Sequence, residues 1–256
     1  MMFLEEIIAE KKREVAQRKV QHPLVENEVV LMPRRAFLEA TASSGLQIIA
    51  EVKKASPSKG LLCLDFDPIR LAESYERAGA AAISVLTDEK FFQGSLDDLR
   101  RVRANIDLPV LRKDFIVDSY QLLEACEAGA DAVLLIVAAL SKAVLNFLYQ
   151  EALRLGLTPL VEVHEVEEVQ VALEIGATLI GINNRNLKTF EVNLENAFVL
   201  KKLIPDQVGV VAESGIKTGN DLQRLKAAGF RGALIGETLV TASDPSLKLQ
   251  ELLEGI

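Results

Sequence analysis

The stretch RAGAAAISV at residues 77–85 returns in altered form as EAGADAVLL (127–135), EIGATLIGI (174–182) and AAGFRGALI (227–235). In each, a helical pattern ends at a glycine and an apolar, strand-like run begins shortly after it. A glycine just past the last helical turn takes the left-handed conformation that closes a helix, and a short loop then re-enters the sheet. Four such joints imply an internal repeat of βα units. Working outward, the strand-like runs are QIIAEVK (47–53), 81–86, PVLRKDF (109–115), 132–137, TPLVEV (158–163), TLIGINN (178–184), VGVVAE (208–213) and 232–236. Helical stretches lie near 68–79, 95–105, 118–129, 141–155, 165–176, 193–203, 218–229 and 245–254. Eight strands alternating with eight helices over about 210 residues fit a (β/α)8 TIM barrel. A doubly wound open sheet is the competitor, but it would more often lack polar residues on so many strand ends.

Those polar strand ends are Glu51, Lys53, Lys113, Glu162, Asn183 and Glu213. A strand buried on both faces is expected to be continuously apolar, and an ionised group there is costly unless paired or used. One such residue is noise; six imply strands converging on one polar cavity. Glu51 and Lys53 are two apart, so both face the same side of a strand, with Lys53 nearer the barrel mouth. Alone they could be a structural ion pair closing the interior. With Lys113, Glu162 and Glu213 they form an acid–base constellation drawn from four strands, in a fold whose active sites assemble at strand C-termini.

Around this barrel the chain carries less chemistry. Residues 3–19 place Leu4, Ile7, Ile8 and Val15 at helical spacing, and a short helix is predicted over 34–42. No Pro/Gly/Ser linker interrupts the chain, so one domain over 1–256 is expected, with an N-terminal helical extension (1–45) and the barrel (46–256). The formal net charge is −8; with no basic tract, nucleic acid is an unlikely partner. The acidic and lysine-rich start is not a signal peptide, and no run of about 20 apolar residues suits a membrane. A soluble, cytoplasmic chain is expected, monomeric at this length. Cys63 and Cys126 lack metal-ligand spacing and read as reduced thiols.

The loops after the strands supply binding candidates. ESGI (213–216) and LIGET (234–238) carry glycines and small hydroxyls that leave backbone N–H groups free for a phosphate; TIM barrels commonly bind phosphate at their last two loops. KKASPSKG (53–60), with Ser56, Pro57 and Ser58, is either a flap over the mouth or a rigid turn. Asn184 suits loop capping, whereas Asn183, at a strand end, can orient a substrate hydroxyl or carboxylate, with Arg185 close by. Phe92 and Phe115 would make an aromatic wall. His22 and His164 are isolated and read as structural. No metal-ligand cluster, P-loop or GxGxxG is present.

IIAEVKKASPSKG, PVLRKDFIVDSYQ, PLVEVHE, IGINNRNL and VAESGI, followed by LIGE, occur in an order that resembles the indole-3-glycerol phosphate synthase family of tryptophan biosynthesis. The resemblance covers essentially the whole chain, including the extension. It implies a metal-free and cofactor-free TIM barrel acting on a small-molecule substrate. The reaction converts 1-(2-carboxyphenylamino)-1-deoxyribulose 5-phosphate to indole-3-glycerol phosphate, carbon dioxide and water. Carried over residue by residue, it implies Lys113 as general acid, Lys53 as holder of the substrate carboxylate or ketone oxygen, and Glu162 as acid/base partner in loss of the hydroxyl. Glu51, Asn183 and Glu213 would orient hydroxyls and lysines. Ser56 and Ser214, with the amides of Gly215, Gly236 and Glu237, would bind phosphate, and Pro57, Phe92, Phe115, Leu134 and Leu187 would enclose the anthranilate ring.

Position 237 departs from relatives that carry serine there, so only its backbone N–H is expected to serve. Tryptophan, which some relatives carry in the extension, is absent. Two lysines against three glutamates leave the cavity near −1, so at least one glutamate, Glu162 before the others, is expected to have a raised pKa and to be protonated during part of the cycle. The alternatives are another phosphate-binding barrel of the same pathway, which would lack the paired lysines of strands one and three, or a catalytically silent barrel that binds a phosphorylated metabolite.

Overall fold

The structure is a computed structural model; it describes residues 2–26, 32–42, 45–186 and 189–256. Eight parallel strands close into a barrel: β1 (Gln47–Val52), β2 (Ala82–Leu86), β3 (Val110–Lys113), β4 (Ala132–Ile136), β5 (Thr158–Val163), β6 (Leu179–Asn183), β7 (Gly209–Glu213) and β8 (Gly232–Ile235). Closure comes from β1, which pairs with β2 on one side and β8 on the other. A long helix follows each strand. The four glycines of the repeat, Gly79, Gly129, Gly176 and Gly229, all have positive φ, as helix-ending glycines require. Helix starts are also written locally: Asp67, Ser95, Asp118, Ser141, Thr218 and Asp244 each accept a backbone N–H at an N-cap.

Strand alternation separates two cores. Ile48, Val85, Val133, Val161 and Val210 face outward under the helices. Ile49, Leu111, Leu160, Val211 and Leu234 fill the interior, joined by Phe37. Phe37 opens the short helix Phe37–Ala42, three residues later than the sequence pattern predicts. The preceding Arg34 and Arg35 are held at the barrel base: Arg34 Nη1 donates to Ala130 O, and Arg35 N to Asp131 Oδ1. The extension's main helix runs Met2–Gln21. It buries Ile7, Ile8 and Val15, as its spacing implies, and with them Lys11.

The structure adds elements with no sequence period to read. Ala55–Ser56 pairs with Gly60–Leu61, so the first loop is a tight hairpin. Glu89–Phe92 and Glu237–Val240 are one-turn helices, and Val137–Ala139 is a 3-10 turn. All lie on the side where strands end, the side that builds the site.

Candidate active site

A cavity of about 390 Å³ opens at the C-terminal ends of the strands. Glu51, Lys53, Lys113, Glu162, Asn183 and Glu213 all line it, so the six polar strand ends do converge. Ser56, Pro57, Phe92, Phe115, Leu134, Arg185, Ser214, Gly215, Gly236 and Glu237 line it too. Leu187 lies outside the described residues. Asn184 instead ties loops together, donating to Glu213 O and Ser214 O and accepting from Ala197 N.

At the centre stands Lys113. Its ammonium donates to Glu162 Oε2 at 3.2 Å and to Glu213 Oε2. Burial opposes its charge, but Glu213, Glu162 and Glu51 outweigh burial and push its pKa above the ordinary lysine value. The donor is therefore charged before any ligand arrives. Lys53 and Glu51 pair at 2.6 Å, Lys53 being the more exposed. The carboxylates need room, and glycine provides it. A Cβ on Gly181 would sit 2.2 Å from Glu213 Oε1, and one on Gly236 2.1 Å from Glu51 Oε2.

The expectation that Glu162 is the protonated glutamate is corrected. Burial favours its neutral form, yet Lys113, His164 and Asn183 together overcome burial and hold Glu162 below the ordinary carboxylate range. The frustrated group is Glu213. Burial, reinforced by Glu162 and Glu51 and opposed by Lys113, raises it to about 7. Both glutamates face Lys113; among the described residues only Glu162 also has an imidazole beside it. Glu213 Oε1 and Ser56 Oγ are buried without a hydrogen-bond partner among the described residues. Native structures rarely leave such atoms unused.

The far wall suits an anion. Ser214 and Gly215 both have positive φ, at 65° and 82°, and the helix Glu237–Val240 starts beside them at Gly236. A helix start leaves its first N–H groups without intrahelical partners. Thr238 Oγ1 donates to Ile216 O at 2.6 Å and joins the two loops. The side chain of Glu237 lines the same wall but is turned to cations. It accepts from Lys59 Nζ at 2.6 Å and Arg185 Nη2 at 3.3 Å, so its charge is matched beside the proposed phosphate position. Opposite, Phe92 and Phe115 form the predicted wall, with ring centroids 6.2 Å apart.

Some cavity residues escape the sequence reading. Leu4 and Ile7 of the extension line the cavity; their helical spacing signals a buried face but not what it faces. His164, read as structural, stands behind Glu162 with Nε2 at 3.3 Å from Oε1. Its place one residue beyond a polar strand end was the available signal.

The family profile of indole-3-glycerol phosphate synthase matches residues 4–252. The chain belongs to this family. An indole-3-glycerol phosphate synthase of Desulfotalea psychrophila is 50% identical over 254 residues, covering 98% of each chain. One from Chlorobium luteolum is 51% identical over 249 residues, 95% of each. Among solved structures, 3-hexulose-6-phosphate synthase aligns with TM-score 0.65 at 16% identity, over 82% of this chain and 100% of its own. Thiamine phosphate pyrophosphorylase from Pyrococcus furiosus aligns at 0.60 and 18%, over 85% and 96%. These two share the barrel; the synthase relatives also share about half of the sequence.

Proposed function

We propose that this chain carries out the indole-3-glycerol phosphate synthase reaction, as a carboxy-lyase of tryptophan biosynthesis, with the roles that follow. The observation that carries the reading is one buried ammonium, Lys113, held between two carboxylates and facing both an aromatic wall and two phosphate-type loops. The ring carbon that bears the substrate carboxylate attacks the ribulose ketone, and Lys113 protonates the oxygen as the C–O π bond breaks. The nitrogen-stabilised cationic ring then loses carbon dioxide, and the electrons of that bond restore aromaticity. In the last step the new hydroxyl leaves as water with a proton from Lys53, while Glu162, already a carboxylate, takes the proton from the adjacent carbon. Lys113 regains its proton from solvent. The iminium is the electron sink, so the residues need supply only protons and position; a placed acid or base contributes roughly a hundred- to ten-thousandfold.

Phosphate would sit on Ser56, Ser214 and the amides of Gly215, Gly236 and Glu237, and the anthranilate ring between Pro57, Phe92, Phe115 and Leu134. A monomeric catalytic unit is part of the same reading. Among the described residues no helix is long and apolar enough to cross a membrane. The test is a steady-state assay of the carboxyphenylamino-deoxyribulose phosphate, followed by indole fluorescence. Turnover is expected; its absence in folded protein would overturn the reading.

A further inference from the structure

His164 lies just past the end of β5, behind the cavity wall that Glu162 forms, and both of its ring nitrogens face a carboxylate. Nε2 is 3.3 Å from Glu162 Oε1, and Nδ1 is 3.3 Å from Glu168 Oε2. Glu168 stands in the first turn of the helix Val166–Glu174 and is fixed there, because its Oε2 also accepts the backbone N–H of His164 at 2.5 Å. From the helix Glu195–Lys201, Asn196 Nδ2 donates to His164 O. The backbone of His164 is thus fixed at both its N–H and its carbonyl, and the side chain is only 9% exposed.

A neutral imidazole carries one N–H and one lone pair. Between two carboxylates a lone pair would face a negative oxygen whichever tautomer formed. Only the imidazolium sets a positive edge against both acids. Nδ1 is in hydrogen-bond contact with Glu168. Nε2, without a hydrogen-bond partner among the described residues, lies at ion-pair distance from Glu162. The other groups around Glu162 are Lys113 on β3, Asn183 on β6 and Glu213 on β7, with Glu51 beyond them on β1. The signs alternate through the wall: Glu213, Lys113, Glu162, His164, Glu168. We propose that His164, backed by Glu168, is a positioning residue that keeps Glu162 ionised and aimed into the cavity, assigning it the role of base and leaving Glu213 to hold the proton. Burial disfavours the ring's charge, but the close carboxylates of Glu162 and Glu168 outweigh it and raise its pKa to about 10. The inference rests on the function proposed above and explains why two carboxylates that share one lysine behave differently.

Two measurements test it. The first needs no turnover. In 15N-labelled protein both ring nitrogens of His164 should remain protonated at pH 8, with the exposed His22 as internal reference; a neutral His164 ring at that pH overturns the proposal. The second is the pH dependence of indole formation in single turnovers. His164→Gln removes the cation behind Glu162, so its carboxylate should protonate more readily. The acidic limb of the profile should move to higher pH by about one to three units, the usual effect of one close charge, and Glu168→Gln should move it the same way by less. A purely structural role would lower amplitude alike at every pH. Folded variants with unmoved limbs overturn the proposal, whereas a wild-type chain that forms no indole overturns the function and leaves the nitrogen signals to judge the triad.

Discussion

Two buried charge networks lie back to back at the end of β3, and they differ in how well their charges match. Behind the strand, Lys11 of the extension pairs with Asp88 at 2.7 Å and Asp114 at 3.2 Å. Arg112 pairs with Asp114 and Glu124, and Arg18 reaches Glu124 at 2.8 Å. Inside the barrel, Lys113 serves both Glu162 and Glu213. Adjacent residues supply both networks because successive side chains of a strand point to opposite faces. In the outer network the partners of Lys11 and Asp114 favour the ionised forms. Burial works against both Lys11 and Asp114, yet their partners push Lys11 above and Asp114 below their ordinary values. In the inner network Glu213 is left near 7. A matched network fastens the extension to the barrel; a mismatched one keeps a proton that chemistry can move.

The comparison breaks most visibly at the two lysines. Lys113→Ala should lower turnover by roughly a hundred- to ten-thousandfold, the worth of a general acid, while the fold persists. Steady-state indole fluorescence checks the first and circular dichroism the second. Retention of more than about a tenth of the activity would remove Lys113 from the acid's role. Lys11→Met should do the reverse. It leaves Asp88 without its cation and Asp114 with Arg112 alone, and breaking a buried pair costs about 3–5 kcal/mol. Urea unfolding should show that loss, and turnover per folded molecule should change far less than in Lys113→Ala.

This division also marks what was legible in the sequence. Inward-facing charges stood out because they interrupt apolar runs on strands, and period-two alternation then told which faced the cavity. The helix-ending glycines gave the barrel for the same reason: a backbone requirement leaves a residue-level trace. The outer network left no such trace. Lys11 sits on a helix where a lysine every turn is ordinary, and its burial depends on where that helix docks. The one-turn elements 89–92 and 237–240 are too short for a period. Which glutamate is protonated was misjudged because His164 was read alone, whereas its effect on Glu162 comes from a contact at 3.3 Å.

A smaller effect separates the networks by the sign of their pH response. The Glu213 carboxyl is raised from 4.5 to about 7, so between those values the folded chain holds a proton that the unfolded chain releases. Its contribution to stability is complete below about pH 4.5 and fades as pH rises through 7. Asp114, held low, contributes above its ordinary value of 3.8 and loses that contribution as pH falls. Relative to wild type, Glu213→Gln should gain up to about 3 kcal/mol between pH 4.5 and 8. Denaturant titrations across that range would show it. A difference that is the same at pH 5 and pH 8 would mean that Glu213 is matched after all.

The smallest effect is expected at the rim, where Glu237 forms a third and more exposed kind of pair. Its side chain is 29% exposed and that of its partner Lys59 is 54% exposed. Burial pulls Glu237 toward the neutral form, but Lys59, Arg185 and Lys53 prevail and hold its pKa below the ordinary value. Pairs this accessible contribute only about 0.2–1 kcal/mol and are screened by salt. Glu237→Ser should therefore leave the fold and turnover nearly unchanged. It releases Lys59 and Arg185 from their carboxylate and removes a negative charge beside the proposed phosphate loops, so the Michaelis constant should fall by up to about fivefold at low ionic strength. Raising salt should shrink the difference within one titration, because screening acts on exposed charges and spares buried ones. The two buried networks should show no comparable response. If the Michaelis constant rises instead, and by the same factor in salt, Glu237 is needed to hold the hairpin over the site, and its charge belongs with the matched pairs behind β3.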